Sequence, residues 1–249
     1  MPEDEAIAVI SDIHGNAWAL EKVLEDIERR GIKTVLNLGD TLYGPLEPKR
    51  TFDLISCNNN IISICGNQDR VIFENHELNS NSPTLEFVKG QLNQNAIDWL
   101  TSLPFDLIYD NTIYCCHASP KSDSIYLLEN IKSNLVGIKD DLEIGVLVRE
   151  IKQKIIACGH SHIPRIVEAS NKIIINPGSI GLQAYDDDFP TPHKMESFST
   201  YAKYCIVANT GDLQSFELVS ISYDYESAAS CAERNNRKDW ATWIRKGRV

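Results

Sequence analysis

Seven residues of this chain have the side-chain types that bind cations, and each closely follows a short apolar run: Asp12, His14, Asp40, Asn67, His117, His160 and His162. Four of the chain's six histidines are among them. The Asp12-x-His14 and His160-x-His162 spacings let two side chains just past a strand end point into one cavity. Carboxylate, amide and imidazole ligands without thiolate suit Mn²⁺, Fe, Ni²⁺, Co²⁺ or Zn²⁺. They suit Mg²⁺ and Ca²⁺ less, because those ions prefer all-oxygen sites. Seven ligands are too many for one closed tetrahedral site. They fit two ions about 3.5–4 Å apart that share one carboxylate. Two divalent ions outweigh the charges of Asp12, Asp40 and one hydroxide, while the imidazoles and Asn67 are neutral ligands. The cavity therefore stays positive inside an acidic protein, and phosphate is the anion that suits it.

The elements that must position these residues share a local grammar. Six short, β-rich apolar runs are each followed at once by a polar cluster: Ala6–Ile10, Val35–Leu38, Ile61–Cys65, Ile113–Cys116, Ile155–Cys158 and Ile173–Ile175. They are apolar on both faces, as strands buried between layers should be. In α/β sheets the carboxyl edge of such strands is where sites assemble. Between the runs, Ala17, Leu20, Val23, Leu24 and Ile27 follow helical spacing, with Asn16 as N-cap and Gly31 just past the end. Ser82-Pro83 opens a second helix, and Asn95–Leu103 reads as a third. Asn75–Ser82 is polar and reads as a loop. Residues 201–222 alternate as further strands, with a turn at Asn209-Thr210-Gly211-Asp212. The C-terminal segment is helical, with Trp240, Trp243 and Ile244 on one face. No repeat, low-complexity tract or linker divides the chain. A single domain over residues 1–249 is expected, with 75–95 and 183–200 as candidate lid segments.

Composition excludes several classes. The 249 residues carry 24 basic and 35 acidic side chains, a net charge of −11, and 43% are hydrophobic. That is no disordered chain, collagen or coiled coil. It also argues against general nucleic-acid binding, which needs a basic surface. A chain this long can bury roughly 70–75% of its unfolded surface. No apolar run approaches the roughly 18–20 residues of a membrane span. The acidic stretch Pro2-Glu3-Asp4-Glu5 does not read as a signal peptide. The seven cysteines form no C-x-x-C. Cys65, Cys115, Cys116 and Cys158 lie in apolar runs and read as small buried hydrophobes, with Cys115 and Cys116 pointing to opposite strand faces. A reducing cytoplasm is the expected location.

Taken in order, five blocks resemble the calcineurin-like metallophosphoesterase superfamily. They are Asp12-Ile13-His14, Gly39-Asp40, Gly66-Asn67-Gln68-Asp69, His117 and Gly159-His160-Ser161-His162. Any one block is weak; the ordered set is specific. Leu42-Tyr43-Gly44-Pro45, Trp99–Pro104, Asn176-Pro177-Gly178-Ser179 and Ala184–Asp188 look like its small prokaryotic phosphodiesterase branch. The resemblance implies an α/β fold, a four-layer α/β/β/α sandwich of two mixed sheets flanked by helices. It implies that Asp12, His14, Asp40 and His162 hold one divalent metal ion. Asp40, Asn67, His117 and His160 would hold the other, with Asp40 bridging and Mn²⁺ the first candidate. It further implies hydrolysis of small phosphodiesters or nucleotide-type phosphates, with Asp40, Asn67 and His117 at the catalytic centre. A metal-bridging hydroxide would attack, its water's pKa lowered from 15.7 toward about 7.

One departure concerns the leaving group. Many members have histidine where this chain has Gln68, which cannot supply a proton. Losing a general acid typically costs about 10²–10⁴-fold, and less for good leaving groups. Asn16, Gln68, Arg70 and His193 are the candidate substrate contacts. Each of three has a plainer reading: Asn16 as a helix cap, Arg70 (like Arg165) in a surface ion pair, and His193 in a surface loop. His76 reads as solvated, and Asp69 as an orienter of the site rather than a ligand. Asn176–Ser179 reads as a structural turn supporting the site. The segment Glu233–Val249, with six cations against two anions, reads as a solvated helix face. The expected partner is a small phosphorylated metabolite or nucleotide, with no membrane. A protein serine/threonine phosphatase and a non-catalytic scaffold of the same fold are the alternatives.

Overall fold

A computed structural model describes residues 5–74, 82–132, 134–210 and 213–249 of the chain. Two five-stranded mixed sheets carry the fold. The first runs, edge to edge, through β14 (Leu213–Ile221), β13 (Ala202–Thr210), β1 (Glu5–Ile10), β2 (Thr34–Asn37) and β3 (Ile61–Ser63). The second runs through β4 (Asp106–Tyr109), β5 (Ile113–Cys116), β8 (Ile155–Ala157), β10 (Lys172–Asn176) and β9 (Arg165–Ala169). β1, β2 and β3 are parallel to one another, as are β5, β8 and β10. The flanking strands pair antiparallel. The parallel strands are the apolar runs of the sequence, with ends that match or move by one or two residues. Within each sheet their polar clusters therefore emerge at one edge.

Alternation along the strands sorts their side chains into layers. Ile7 and Val9 point between the sheets, with Leu36, Leu38, Ile113, Cys115, Ile155, Ala157 and Ile175. Ala8 and Ile10 point the other way. They join α1 (Ala17–Arg29), α7 (Tyr225–Arg234) and α8 (Lys238–Lys246) on the outer face of the first sheet. Tyr114, Cys116, Ile156, Cys158 and Ile174 meet Ile144 and Val148 of α6 (Asp141–Val148) on the outer face of the second. The order is α/β/β/α, as the resemblance implies, and Cys115 and Cys116 do fall on opposite faces. The cysteines form no disulfides.

A further apolar cluster gathers α2 (Pro48–Ser56), α3 (Asn67–Phe73), α4 (Pro83–Gln91) and α5 (Gln94–Ser102) around Leu42, Phe52, Ile72, Val88 and Leu100. The caps explain the helix starts. Asn16 Oδ1 accepts the Ala19 N–H at 3.2 Å to open α1, and Ser82 opens α4 ahead of Pro83. Asn93 accepts the Ala96 N–H at 3.0 Å, which sets α5 one residue earlier than its apolar spacing predicts. Two hairpins complete the fold: β6 (Glu129–Lys132) with β7 (Leu135–Ile138), and β11 (Ala184–Asp187) with β12 (His193–Glu196). The expected strands of 201–222 are β13 and β14. His76, most of the expected loop Asn75–Ser82, and Gly211-Asp212 of the expected turn lie outside the described residues. Among the described residues no helix is long and apolar enough to cross a membrane.

Candidate functional site

Five of the seven ligand-type residues sit just past strand ends with positive φ: Asp12 (55°), His14 (52°), Asp40 (53°), His160 (66°) and His162 (59°). This left-handed backbone costs a non-glycine residue roughly 1–2 kcal/mol. Such strain persists where surrounding structure over-determines it, as at functional sites. Here glycines let the neighbouring chain close in. A Cβ at Gly66 would lie 2.2 Å from Asp40 Oδ1, and one at Gly159 would lie 2.8 Å from Asp12 Oδ2. Gly66→Ala should therefore cost about 1–3 kcal/mol of stability by overpacking and displace the Asp40 carboxylate. Thermal unfolding checks this against Gly90→Ala, whose new Cβ meets nothing within 4 Å. Equal midpoints for the two variants would refute it.

The ligand-type atoms gather in two buried triads, Asp12–His14–His162 and Asp40–His117–His160. Within each, the ligand atoms lie within 4.8 Å of one another. Backbone carbonyls orient three of the rings. Nδ1 of His14 faces Tyr43 O at 3.1 Å, Nδ1 of His162 faces Leu182 O at 2.6 Å, and Nδ1 of His117 faces Leu38 O at 2.8 Å. A carbonyl only accepts, so we assign a ring hydrogen to Nδ1 in each, which leaves Nε2 as a bare lone pair wherever the ring is uncharged. The Nε2 atoms of His14 and His162 then oppose each other at 3.1 Å, with Asp12 Oδ1 3.3 Å from His162. Asp12 Oδ1 is buried without a hydrogen-bond partner among the described residues. Nε2 of His117 faces Asn67 Oδ1 at 2.9 Å and Asp40 Oδ2 at 3.5 Å. In the Asp12 triad acceptors thus converge on acceptors, an arrangement that a cation there would complete; in the Asp40 triad a cation on His117 Nε2 would take the place of a proton.

The charges agree. Burial, then the neighbouring His162, pulls His14 down to about 4. Burial and His117 do the same to His160, also to about 4. His117 goes the other way: burial opposes its charge, but the Asp40 carboxylate outweighs this and raises it to about 10. Asp40 is correspondingly held well below the carboxylate range, against its burial.

The supports come from nearby backbone. The Gln68 N–H donates to Asp40 Oδ1 at 2.8 Å, and the His160 N–H to Asp12 Oδ2 at 3.1 Å. Asp69 touches neither triad's ligand atoms. Its carboxylate accepts the N–H groups of Thr41, Leu42 and Gly66, and so ties the loop after β2 to the start of α3. Burial and the Asp40 charge raise Asp69 to about 6. The Asn176–Ser179 turn braces the site from behind. Asn176 Nδ2 donates to Gly159 O at 2.8 Å, and Ser179 Oγ to Asp12 O at 2.7 Å.

A cavity of about 350 Å³ opens over these groups, lined among others by His14, Asp40, Asn67, His160 and His162. Gln68 also lines it, with its Oε1 unpartnered among the described residues. The other three expected substrate contacts do not. Asn16 is buried as a helix cap, and its Nδ2 donates to Gly181 O. Arg70 is held by Asp123 and Glu74, as its plainer reading had it, and Arg165 by Glu129. His193 is buried behind the cavity wall against Tyr126, not in a surface loop. The opposite wall went unread in the sequence. It consists of Tyr43 with Arg237, Asp239, Trp240 and Trp243, and Asp186 and Asp187 of β11 also border the cavity. Trp240 packs its ring edge-on against His14, with centroids 5.6 Å apart. The Arg237 guanidinium lies over Trp240 and pairs with Asp239. The one signal available was the Arg237-Lys238-Asp239-Trp240 cluster at a helix start.

Comparison with known proteins agrees with this geometry. A family model for the calcineurin-like phosphoesterase superfamily domain matches residues 6–191. An uncharacterised protein of Methanocaldococcus jannaschii, MJ0912, is 28% identical over 94% of both chains. A metallophosphoesterase from Sphaerobacter thermophilus superposes with a TM-score of 0.74 at 21% identity, covering 98% of this chain and 100% of that one. The hypothetical protein PH1004 of Pyrococcus horikoshii OT3 gives a TM-score of 0.75 at 16% identity, with 97% and 98% covered.

Proposed function

Because the chain belongs to the calcineurin-like phosphoesterase superfamily and is a hydrolase of phosphoric esters, we propose that it cleaves small phosphodiesters or nucleotide-type phosphates with two divalent cations. Asp12, His14 and His162 would hold one cation and Asn67, His117 and His160 the other, with the Asp40 carboxylate available to both. The observation that carries this reading is the opposition of bare acceptors in the Asp12 triad, with Asp12 Oδ1 buried and unpartnered among the described residues, beside a second buried triad of the same ligand types. Bound cations supply an acidic water and positive charge for the developing oxyanions. Mn²⁺ is the first candidate by ligand chemistry, with Fe, Ni²⁺, Co²⁺ and Zn²⁺ as alternatives. The free thiols fit a reducing cytoplasm.

The chain's own residues shape the rest of the reaction. Asp40, Asn67 and His117 adjoin one another, with His117 Nε2 2.9 Å from Asn67 Oδ1 and 3.5 Å from Asp40 Oδ2, and are the residues assigned to the catalytic centre in this reading. The side-chain amide of Gln68 borders the cavity and can hydrogen-bond a phosphate oxygen, but it delivers no proton to a leaving alkoxide. His193 is walled off and cannot replace it. Esters with good leaving groups are therefore favoured. With Mn²⁺ present, a bis-aryl phosphodiester and a dinucleoside polyphosphate should be hydrolysed on the order of 10²-fold or more faster than an alkyl monoester. Fastest turnover of the alkyl monoester would overturn this preference. Elemental analysis of the same preparation tests the two-cation stoichiometry.

A further inference from the structure

His160 differs from its three partners. The described hydrogen bonds give its ring no backbone carbonyl; what flanks it instead is an aromatic ring. Tyr126 stacks on it with centroids 4.8 Å apart and planes 25° from parallel. Tyr185 meets His162 edge-on at 4.6 Å and donates its hydroxyl hydrogen to the backbone carbonyl of His160 at 2.9 Å. The two tyrosine hydroxyls lie 3.0 Å apart. Tyr126 is also tied to His193, whose Nε2 is 3.0 Å from its hydroxyl. Nδ1 of His193 faces the Thr191 carbonyl at 2.8 Å, so we assign its hydrogen there and leave Nε2 to accept from Tyr126. His193 is only 4% exposed and Tyr126 only 6%.

We propose that His193 is a positioning residue which acts through Tyr126 to fix the imidazole of His160, so that the β11–β12 hairpin sets the affinity of one of the two cation sites. Imidazole ligands are generally oriented by a partner for their second nitrogen. Here the stacked Tyr126 ring takes that part, and its hydroxyl is steered by the His193 lone pair. The chain runs from β12 through the segment before β6 to the loop after β8, parts of the sequence with no local relation to one another. The inference rests on the two-cation reading above.

The test is a Mn²⁺ titration of purified protein that resolves two binding steps, with thermal unfolding run alongside. His193→Phe and Tyr126→Leu should each weaken one step about 10–100-fold and leave the other unchanged. His193→Gln, which can still reach Tyr126, and Tyr126→Phe, which keeps the stacked ring, should recover part of the loss. The His193→Phe/Tyr126→Phe double variant should lose no more than His193→Phe alone, because the residues act in series. Wild-type affinity at both steps in His193→Phe overturns the proposal, as does equal weakening of both steps with a lowered unfolding midpoint. If His193→Phe does not fold, the two Tyr126 variants decide the matter, and equal affinity in both overturns it. A wild-type protein that binds neither Mn²⁺ nor Fe²⁺, Ni²⁺, Co²⁺ or Zn²⁺ in the same titration overturns the two-cation reading and this inference with it.

Discussion

Asp40→Asn is expected to lower phosphoester hydrolysis by on the order of 10³-fold or more, with the fold intact. Asp40 is the only carboxylate in its triad, and Asp12 is the only one in the other. It is held below the carboxylate range against full burial, mainly by His117. Its charge is therefore fixed at any working pH, and in the proposed two-cation arrangement the shared position would depend on it. Losing that position removes several kcal/mol of transition-state stabilisation, and each 1.36 kcal/mol is about tenfold in rate. Asparagine is the informative replacement because it also tolerates the left-handed backbone of residue 40, at φ 53°. It keeps the acceptor that takes the Gln68 N–H. Alanine would confuse strain with charge. Turnover measured beside elemental content checks the prediction. Near-wild-type rates, or unchanged metal content, would refute the bridging role.

Removing metal should abolish activity altogether, and Mn²⁺ should restore it. The same addition should raise the thermal unfolding midpoint. A ligand at a hundred times its Kd stabilises by about 2.7 kcal/mol. At about 2–4 °C per kcal/mol for a chain of this size, that amounts to roughly 5–10 °C. The sign of the pH effect follows from the rings. His14 and His160, held down at about 4, are already neutral at pH 7 and compete with no metal until pH falls near that value. His117, raised to about 10 in the metal-free protein, carries a proton at pH 7 that a cation on its Nε2 must displace. Cation binding at neutral pH should thus release about one proton from the Asp40 triad, and affinity should fall as pH is lowered. A weakly buffered titration reads the release directly. Retained activity in thoroughly chelated protein, or failure of every divalent ion to restore it, would end the metal reading.

Much of the site was legible because its signals are local. A buried parallel strand must be apolar on both faces, and its chain must turn polar where it leaves the sheet. Ile7–Ile10 before Asp12, and Ile155–Cys158 before His160, announce themselves within a few residues. The caps Asn16 and Ser82 are equally local, since each bonds an N–H three residues on. The start of α3 inside Gly66-Asn67-Gln68-Asp69 was hidden, because its N-cap is a glycine, with no side chain to announce it.

Longer-range placement was not legible. Whether Arg70 faced phosphate or a carboxylate depended on Asp123, 53 residues away. Nothing near His193 in the sequence points to Tyr126, 67 residues away, whose hydroxyl its buried ring meets at 3.0 Å. Trp240, Trp243 and Ile244 were read on one helix face, and all three are buried, but that Arg237 and Asp239 of the expected solvated face would line the cavity required α8 to pack against α7 and the first sheet. Residue types and strand polarity write the chemistry into short stretches of chain, because hydrogen bonding and burial impose it within a few residues. Which distant side chains complete the cavity is settled only when layers pack, because that outcome belongs to the whole core and to no single segment.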